Sequence, residues 1–390
     1  MANPSPLANK GLSLATLAIH ADEHLAPVTD IAPPLHVSTT YRYVSNPDDL
    51  VPYTPPNATD PPLPHVYSRL SAPSTSRLES ALSAVLSADT IVYPSGLAAF
   101  HALLVTVNPK RLLITDGYHG CHGTAHLMQK LTGMEIVPLD TPPKAGDLVH
   151  IETPINPTGI ATDIASYVAK ARAVGATVSV DATFAPPPLQ DPWKYDVDWV
   201  MHSGSKYFGG HSDMLAGTLS VRDPHKAAAL RGERLYLGAT MGNMEAWLGL
   251  RSIKTLELRV ARAAENATKL AGWVESERLR EGSAASKVVE KVTHASLQEQ
   301  TSWLKEQMPN GGGPVWSLLL KQEIMAKTLP SKLLLWGHAT SLGGVESLIE
   351  WRAMTDDTCD RRLLRLSTGI EGFEDLRKDL ETAFEELAKL

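Results

Sequence analysis

Lys206 is the residue with the clearest capacity for covalent chemistry in this 390-residue sequence. It lies in Ser203-Gly204-Ser205-Lys206-Tyr207, directly after the apolar run at 199–202 that predicts a buried strand. A lysine on a loop of small residues can act as an amine nucleophile when burial or a nearby charge lowers its pKa. Most lysines are solvated surface residues, so Lys206 alone does not identify an active site. The hydroxyls of Ser203 and Ser205 are candidates for holding a phosphate beside it.

Two more candidate binding segments follow other short apolar runs. Ser95-Gly96-Leu97 comes after Ile91–Tyr93 and opens a helix-like segment. Free backbone N–H groups and the helix dipole favour phosphate at such a turn, although a plain strand–helix connection has the same sequence. Tyr118 follows the run at 112–115 in a loop with neighbouring glycines. Its ring is a candidate for stacking on a flat ligand, and loop packing is the alternative.

Asn156 and Asp181 are the polar candidates after the next two apolar runs. Asn156 lies in an Asn-Pro turn after 148–152, where its amide is available to a ligand or simply forms the turn. Asp181 ends the run at 177–180, and three prolines at 186–188 follow shortly. Since prolines make a helix cap there improbable, we expect Asp181 to face the ligand crevice. A phosphate cradle, a stacking ring, an acid and a lysine together suit pyridoxal 5'-phosphate (PLP), with the acid keeping the pyridine nitrogen protonated.

The elements that must position these residues are predicted by hydrophobic periodicity. Short apolar runs alternate with helix-length segments, which indicates an α/β fold with a mostly parallel sheet. Ligands bind such sheets beyond the carboxyl ends of the strands, where all the candidates above lie. A capping box at Ser76-x-x-Glu79 predicts the start of one helix, and a long helix is expected from about Met244 to Glu275. A smaller α+β region follows, with a last helix from about Glu374.

Composition and missing motifs exclude several classes of function. The net charge of -7 argues against a general nucleic-acid binder, and no run is apolar enough to cross a bilayer. Two distant cysteines and the lack of a signal-like N-terminus favour a reducing intracellular compartment. No Walker A, G-x-G-x-x-G, H-E-x-x-H or G-x-S-x-G motif is found. His119, His122 and His126 lack an evident cysteine or carboxylate partner, so no metal site is predicted.

The sequence resembles the Cys/Met-metabolism (trans-sulfuration) family of PLP-dependent enzymes, in particular the cystathionine γ-synthases, from about Pro34 to the C-terminus. Many short segments in the same order carry this resemblance. They are Tyr67-Ser68-Arg69, Ser95-Gly96-Leu97-Ala98-Ala99, Asp116-Gly117-Tyr118, Glu152-Thr153-Pro154-Ile155-Asn156-Pro157, Asp181-Ala182-Thr183-Phe184, Ser203-Gly204-Ser205-Lys206-Tyr207, Gly210-His211-Ser212-Asp213, Arg251-Ser252-Ile253-Lys254-Thr255-Leu256, Ser341-Leu342-Gly343-Gly344-Val345-Glu346-Ser347-Leu348 and Arg365-Leu366-Ser367-Thr368-Gly369-Ile370-Glu371.

The resemblance implies PLP fold type I, like that of aspartate aminotransferase, with a large domain and a smaller C-terminal α+β domain. The implied division is an extended Pro-rich arm at 1–65, a PLP-binding α/β domain at 66–243, and a connecting helix with the small domain at 244–390. It also implies a homodimer with shared active sites, usually paired into a homotetramer. Small amino acids are the expected substrates, and neither nucleic acid nor a membrane is an expected partner.

The resemblance implies a role for each candidate side chain around PLP. Lys206 forms the Schiff base and moves protons, and Asp181 holds the ring nitrogen. Tyr118 stacks on the ring and takes part in proton transfer, and Asn156 contacts the ring oxygen. The remaining implied contacts are with the phosphate, from Ser95, Gly96, Leu97, Ser203 and Ser205, and with the neighbouring subunit's phosphate, from Tyr67 and Arg69.

The substrate α-carboxylate is expected at Arg365, as a two-pronged guanidinium site with Ser341 close by. The implied reaction is γ-substitution on an O-acyl-L-homoserine, through an external aldimine and a vinylglycine-type intermediate. Cysteine is the default nucleophile, and sulfide or a specialised carbon nucleophile are further options. A cystathionine or methionine γ-lyase is the alternative, and a non-catalytic relative is a third. The motifs do not separate synthase from lyase.

Several residues depart from the family pattern near the expected substrate pocket. His119 replaces the usual glycine after Tyr118, and Ala182 replaces the usual asparagine after Asp181. Trp351-Arg352 stands where the family usually has His-Pro. The chain ends in Ala388-Lys389-Leu390, which is similar to a peroxisomal S-K-L signal. We therefore expect a cytoplasmic protein with peroxisomal import as a further option.

Overall fold

The computed structural model describes residues 5–8, 10–26, 28–52, 64–299 and 301–389. Most of the Pro-rich stretch predicted as an extended arm, residues 53–63, lies outside these ranges. The chain forms two compact units. The first comprises Met1–Pro109, Asp198–Gly209 and Asp213–Leu256, and the second comprises Lys110–Val197, Gly210–Ser212 and Glu257–Leu390. The three-part division expected from the sequence stays a prediction.

Helices and strands alternate along most of the described chain. The helices are α1 Leu14–His20, α2 Pro73–Leu86, α3 Gly96–Val107, α4 His119–Thr132, α5 Ile164–Arg172, α6 Pro224–Leu237, α7 Asn243–Ile253, α8 Leu256–Leu279, α9 Ala284–Val288, α10 Ser302–Gln307, α11 Glu323–Thr328 and α12 Phe373–Leu387. The strands are β1 Asp89–Tyr93, β2 Arg111–Ile114, β3 Glu135–Pro138, β4 Leu148–Glu152, β5 Thr177–Asp181, β6 Trp199–Ser203, β7 Gly217–Val221, β8 Val289–Thr293, β9 Val315–Leu320, β10 Gly337–His338, β11 Leu348–Trp351 and β12 Leu363–Ser367. Within the described ranges, no helix combines the length and the apolar surface that a bilayer span needs.

In the first unit, β7 pairs antiparallel with both β1 and β6. Strand β7 was not predicted from the sequence. It begins at Gly217, where a Cβ atom would lie 2.0 Å from the carbonyl oxygen of Ser95, the residue that precedes α3. Only a residue without a side chain fits there, so Gly217 allows β7 to pass directly beside the start of α3.

In the second unit, β5, β4, β2 and β3 lie side by side in that order, and each neighbouring pair is parallel. This arrangement confirms the predicted α/β fold with a mostly parallel sheet. Every residue of β4 is buried, as expected for a strand that is covered on both faces. Because carboxyl ends of parallel strands meet at one edge, Glu152 at the end of β4 is in register with Asp181 at the end of β5.

A second sheet in this unit has the order β10-β11-β12-β9-β8 and is antiparallel except between β10 and β11. Its apolar face packs against α8 and α12 through residues that include Val274, Leu380 and Phe384. The predicted smaller α+β region is therefore present. The register sets Arg365 of β12 opposite Glu350 of β11 on one side and Ser317 of β9 on the other.

Two helix boundaries differ from the prediction. The long helix expected from Met244 to Glu275 is two helices, α7 and α8, with Thr255 between them donating its N–H to Ser252 in a tight turn. The capping box at Ser76 is wrong, because α2 begins three residues earlier, at Pro73, a residue that suits the first helical position. Glu79 instead accepts the backbone N–H of Val92 and pairs with Arg234.

Candidate active site

In the first unit, Lys206 lies on a compact turn that follows β6. Its backbone N–H bonds to the carbonyl of Ser203 at 3.2 Å, and Gly209 donates to the carbonyl of Gly204 at 2.9 Å. The lysine is half-buried, in contrast to a fully solvated surface lysine. The turn therefore holds the lysine backbone rigidly at the carboxyl end of a strand, as a covalent or proton-transfer role requires.

The amino end of α3 lies against the same turn. Ser95 caps the helix by accepting the N–H of Ala98 at 3.1 Å. A Cβ atom on Gly96 would lie 3.0 Å from Cβ and 3.1 Å from Oγ of Ser203. A larger residue would push Ser203 away, so the glycine favours this close approach, which brings the first backbone N–H groups of a twelve-residue helix beside a hydroxyl. Ser95, Gly96, Leu97 and Ser203 are therefore grouped as a phosphate site would require.

Ser205 differs from Ser203 in its bonding. Its hydroxyl donates to the carbonyl of Ala216 at 3.2 Å and accepts the N–H of Ala216 at 2.9 Å. The contact links the lysine turn to the residue before β7. Ser205 therefore braces the turn in this structure, and its predicted contact with phosphate stays a prediction.

Tyr67 and Arg69 are also in the first unit. The two side chains are exposed, and the Arg69 guanidinium lies 5.3 Å above the Tyr67 ring. Tyr67 forms an isolated bridge with Thr40. Their expected role at a neighbouring subunit's cofactor stays a prediction.

In the second unit, Asp181 is 5% exposed at the end of β5. Its Oδ1 accepts both the backbone N–H of Thr183 at 2.9 Å and the hydroxyl of that residue at 2.5 Å. Burial raises the pKa of Asp181, even though these hydrogen bonds act in the opposite direction. A buried carboxyl of this kind needs a cationic partner to be stable as an anion.

Glu152 is a residue that the sequence analysis did not single out. Its two carboxyl oxygens accept the backbone N–H of Tyr118 at 2.8 Å and that of Asn156 at 2.6 Å. A Cβ on Gly117 would lie 2.5 Å from Oε2, so a side chain at this position would displace the carboxyl. One side chain therefore positions two predicted site residues. One signal in the sequence could have identified Glu152. It ends the apolar run that comes before the run ending in Asp181, and neighbouring parallel strands bring such ends together.

Burial, together with the charge of Asp181, raises the pKa of Glu152 to about 8. Between pH 4.5 and 8 the folded protein then binds more protons at this site than the unfolded chain, so rising pH lowers stability. We expect Glu152→Gln to raise the unfolding temperature of the cofactor-free protein at pH 8.5, with the gain vanishing near pH 5. Calorimetry across this pH range measures the effect.

Glu79 offers a matched control for this prediction. It is also buried, but Arg234 and Arg231 overcome the effect of burial and lower its pKa. Glu79→Gln removes the partner of a buried guanidinium and is expected to lower the unfolding temperature at pH 7 and above. A loss of stability of the same size and pH dependence in both variants would contradict the assignment of Glu152.

Tyr118 precedes α4 and is 36% exposed. Burial raises the pKa of the Tyr118 phenol. The nearby Cys121 and the carboxyls of Glu152 and Asp181 raise it further, and Arg365 only partly opposes these effects. The phenol therefore keeps its proton at neutral pH. The His119 ring lies 5.0 Å from the Tyr118 ring, at an angle of 57°.

Asn156, Ser341 and Arg365 come together around the Arg365 guanidinium. Arg365 donates to Oδ1 of Asn156 at 3.0 Å and to the carbonyl of Ser341 at 2.9 Å. Asn156 and Arg365 are buried, and Ser341 has a positive φ of 77°. The predicted neighbours of the substrate carboxylate are thus brought together, and Arg365 also forms an ion pair with Glu350 at 2.6 Å.

A further buried group, not anticipated from the sequence, joins Cys121, His150 and Asp181, whose ligand-type atoms lie within 4.8 Å of one another. Burial raises the pKa of the Cys121 thiol well above its usual value and lowers that of His150 to about 3. A buried thiol with a raised pKa is a weak nucleophile. His150 lies 2.8 Å from the hydroxyl of Ser179. The three side chains therefore form one buried group that includes Asp181.

Comparisons with known proteins identify the family and support the fold. A family model described as Cys/Met metabolism PLP-dependent enzyme matches residues 15–385. The chain is 32% identical to cystathionine beta-lyase of Lactococcus lactis, over 96% of this chain and 99% of the relative. It is 31% identical to cystathionine gamma-synthase of Escherichia coli, over 91% and 93%. The crystal structure of metB from Corynebacterium glutamicum matches with a TM-score of 0.85 and 29% identity, over 97% and 99%.

Proposed function

The chain belongs to the Cys/Met metabolism family of PLP-dependent enzymes, and we propose that it catalyses γ-substitution on an O-acyl-L-homoserine. Cysteine is the first nucleophile to consider, followed by sulfide and by carbon nucleophiles. PLP is the cofactor, and the substrates of the family are small amino acids. The alternative is a cystathionine or methionine γ-lyase, and 31% identity to the cystathionine gamma-lyase of Saccharomyces cerevisiae, over 95% of this chain and 97% of the relative, supports it.

The described residues fit PLP at two separate places. The amino end of α3, with Gly96 in close contact with Ser203, provides N–H groups and a hydroxyl for the phosphate. The raised pKa of buried Asp181 is relieved by a protonated pyridine nitrogen, because opposite charges stabilise each other. When bound, PLP withdraws electrons and so stabilises negative charge at the substrate carbon atoms.

In this proposal the protein's own residues bind the substrate and move its protons. Lys206 supplies the amine for covalent attachment of the cofactor. When its amine is free, Lys206 would take the proton from Cα of the substrate and then the proton from Cβ. Tyr118 holds its phenolic proton at neutral pH and acts as a proton donor. Arg365, oriented by Asn156 and Ser341, binds the α-carboxylate.

A histidine next to Tyr118 and a nearby carboxylate are the observation that supports substitution. His119 is exposed next to the Tyr118 ring and interacts electrostatically with Asp356. Hydrogen bonds from Thr358 lower the pKa of Asp356, and the charges of Arg352 and His119 lower it further. A zwitterionic nucleophile such as cysteine needs partners of both signs, whereas elimination needs water alone. Asp356 offers a carboxylate for the ammonium group of the nucleophile, and the His119 imidazole offers a hydrogen-bond donor for its carboxylate.

Product analysis separates the two reactions. Purified holoenzyme is incubated with O-acetyl-L-homoserine or O-succinyl-L-homoserine, with and without cysteine, and the products are identified by mass spectrometry. We expect cystathionine only when cysteine is present. Release of 2-oxobutanoate without cysteine, and no cystathionine with it, would replace the proposal by the lyase reading. If the acyl group leaves but cysteine yields nothing, another nucleophile is required.

A His119→Gly variant tests whether His119 helps to bind the nucleophile, as the proposal of substitution requires. We expect it to raise the KM for cysteine several-fold while leaving the KM for the acyl-homoserine unchanged, because Arg365 still binds the latter. His126→Gly is the matched control, since His126 is exposed on the same helix. Equal changes in both KM values would argue against a nucleophile site at His119.

We also propose a homodimer that pairs into a homotetramer, with Tyr67 and Arg69 reaching the neighbouring cofactor. Exposed apolar side chains of the first unit support such contacts, among them Ile31 at 96% and Tyr236 at 87% exposure. Sedimentation analysis tests the assembly.

The relatives lend no support to peroxisomal import, and Leu390 of the C-terminal tripeptide lies outside the described residues. A cytoplasmic location stays a proposal.

A further inference from the structure

Arg365, the proposed partner of the substrate carboxylate, already pairs with a carboxylate of the protein. It lies opposite Glu350 in the register of β11 and β12, and its Nη2 atom is 2.6 Å from Oε2 of Glu350. Their side chains are 5% and 3% exposed. An isolated pair of this kind would have no net charge, so its guanidinium would attract a second carboxylate only weakly.

A second guanidinium shares the same carboxylate oxygen. Arg352 Nη1 lies 2.9 Å from Oε2 of Glu350, and the Arg352 side chain is 4% exposed. The hydroxyl of Thr355 donates to the other oxygen at 2.7 Å. Asp356, the other anion near Arg352, is 3.7 Å away and more exposed. The charge of Glu350 is therefore divided between two buried cations.

We propose that Arg352 is a positioning residue that keeps Arg365 able to bind the substrate α-carboxylate. By attracting the carboxylate of Glu350, Arg352 leaves Arg365 only partly neutralised. The inference rests on the proposed role of Arg365, and it applies equally to a synthase and to a lyase. It assigns a function to a position that departs from the family pattern.

Arg352 acts through charge in this proposal, because other contacts already orient Arg365. Asn156 and Ser341 accept hydrogen bonds from Nη1 and Nη2 of Arg365. These two acceptors and Glu350 lie on three different segments of the chain, which together define the plane of the guanidinium. None of these three contacts involves Arg352, so at Arg365 we expect its removal to change how strongly Glu350 neutralises the guanidinium.

The test compares two probes that differ only in the carboxylate, L-alanine and L-alaninamide. Their dissociation constants for the holoenzyme are measured by calorimetric titration, and their ratio reports recognition of the carboxylate. We expect Arg352→Met to reduce the preference for L-alanine roughly tenfold or more. Arg352→Lys is expected to keep part of the preference, because the positive charge remains.

A double variant distinguishes charge balance from a structural role. In Glu350→Gln/Arg352→Met both members of the second pair are neutral, so Arg365 is no longer neutralised. We expect this variant to recover most of the preference that Arg352→Met loses. Two outcomes would overturn the proposal. In the first, Arg352→Met keeps the full preference for L-alanine. In the second, Arg352→Met loses the preference and the double variant does not recover it.

Arg365→Met separates this inference from the proposed function. It is expected to abolish the preference, and adding Arg352→Met should then change nothing further. If Arg365→Met keeps the preference, the carboxylate site itself is wrong and the inference fails with it. The outcome of the product analysis does not affect these ratios, because L-alanine has no γ-leaving group.

Discussion

Replacing Lys206 by alanine is expected to lower kcat by at least about 10⁴-fold, because one amine both attaches the cofactor and moves the protons. The turn that carries it is held by backbone hydrogen bonds of Ser203, Ser205 and Gly209, which do not involve the lysine side chain. The variant should therefore fold normally. Steady-state kinetics measure the loss, and circular dichroism checks the fold.

Two further variants define the chemical reason for this loss. Lys206→Arg keeps the positive charge but lacks a nucleophilic amine, so it should be nearly as inactive as the alanine variant. Small primary amines added to Lys206→Ala should restore part of the activity, in the order of their basicity. Lys226→Ala, which removes a surface lysine paired with Asp198, is the matched control and should be active. An active Lys206→Arg enzyme would be incompatible with a role for the amine.

Asp181→Asn is expected to lower kcat by about 10²- to 10³-fold, the range found when one preorganised electrostatic partner is removed. Asparagine has nearly the same shape, and its oxygen can still accept both hydrogen bonds from Thr183. What it lacks is the negative charge that keeps a pyridine nitrogen protonated. The affinity of the cofactor-free protein for PLP should fall as well, which a binding titration measures independently of turnover.

Thr183→Val provides the control for Asp181. It removes the hydroxyl donor to Oδ1 but keeps the backbone donor and the carboxylate charge. We expect a change of about tenfold, smaller than that for Asp181→Asn, because a hydrogen bond to a charged group contributes about 1.5 kcal/mol at the low end of its range. If Thr183→Val were as damaging as Asp181→Asn, the orientation of Asp181 rather than its charge would explain the effect.

The sequence was sufficient to identify most strands and the residues at their carboxyl ends. Buried parallel strands are short apolar runs, and ligand-binding residues follow them, so local patterns locate both. Strand β7 was missed. It begins at a glycine, which is a weak signal for a strand, and the reason for that glycine is a contact with Ser95, far away in the sequence. The helix expected from Met244 was too long, because periodicity is continuous across the turn at Thr255.

The buried polar contacts could not be predicted in the same way. Glu152 was visible only as part of a family motif, yet it bonds to the backbone at both Tyr118 and Asn156. Glu350 and Arg352 were not expected to affect Arg365, since their meeting depends on the register of β11 and β12. The role of Ser205 was inferred from its neighbours, whereas its hydroxyl bonds to Ala216.

The sequence by itself determined the α/β class, the family, the cofactor and the identity of the candidate residues, because these depend on residue types and their order. Only the tertiary structure decided how Glu152, Asp181 and Tyr118 affect one another, since their pKa values depend on burial and distance. It alone showed that Glu350 is shared by Arg352 and Arg365. Electrostatic interactions act through space, and separation along the chain carries no information about them.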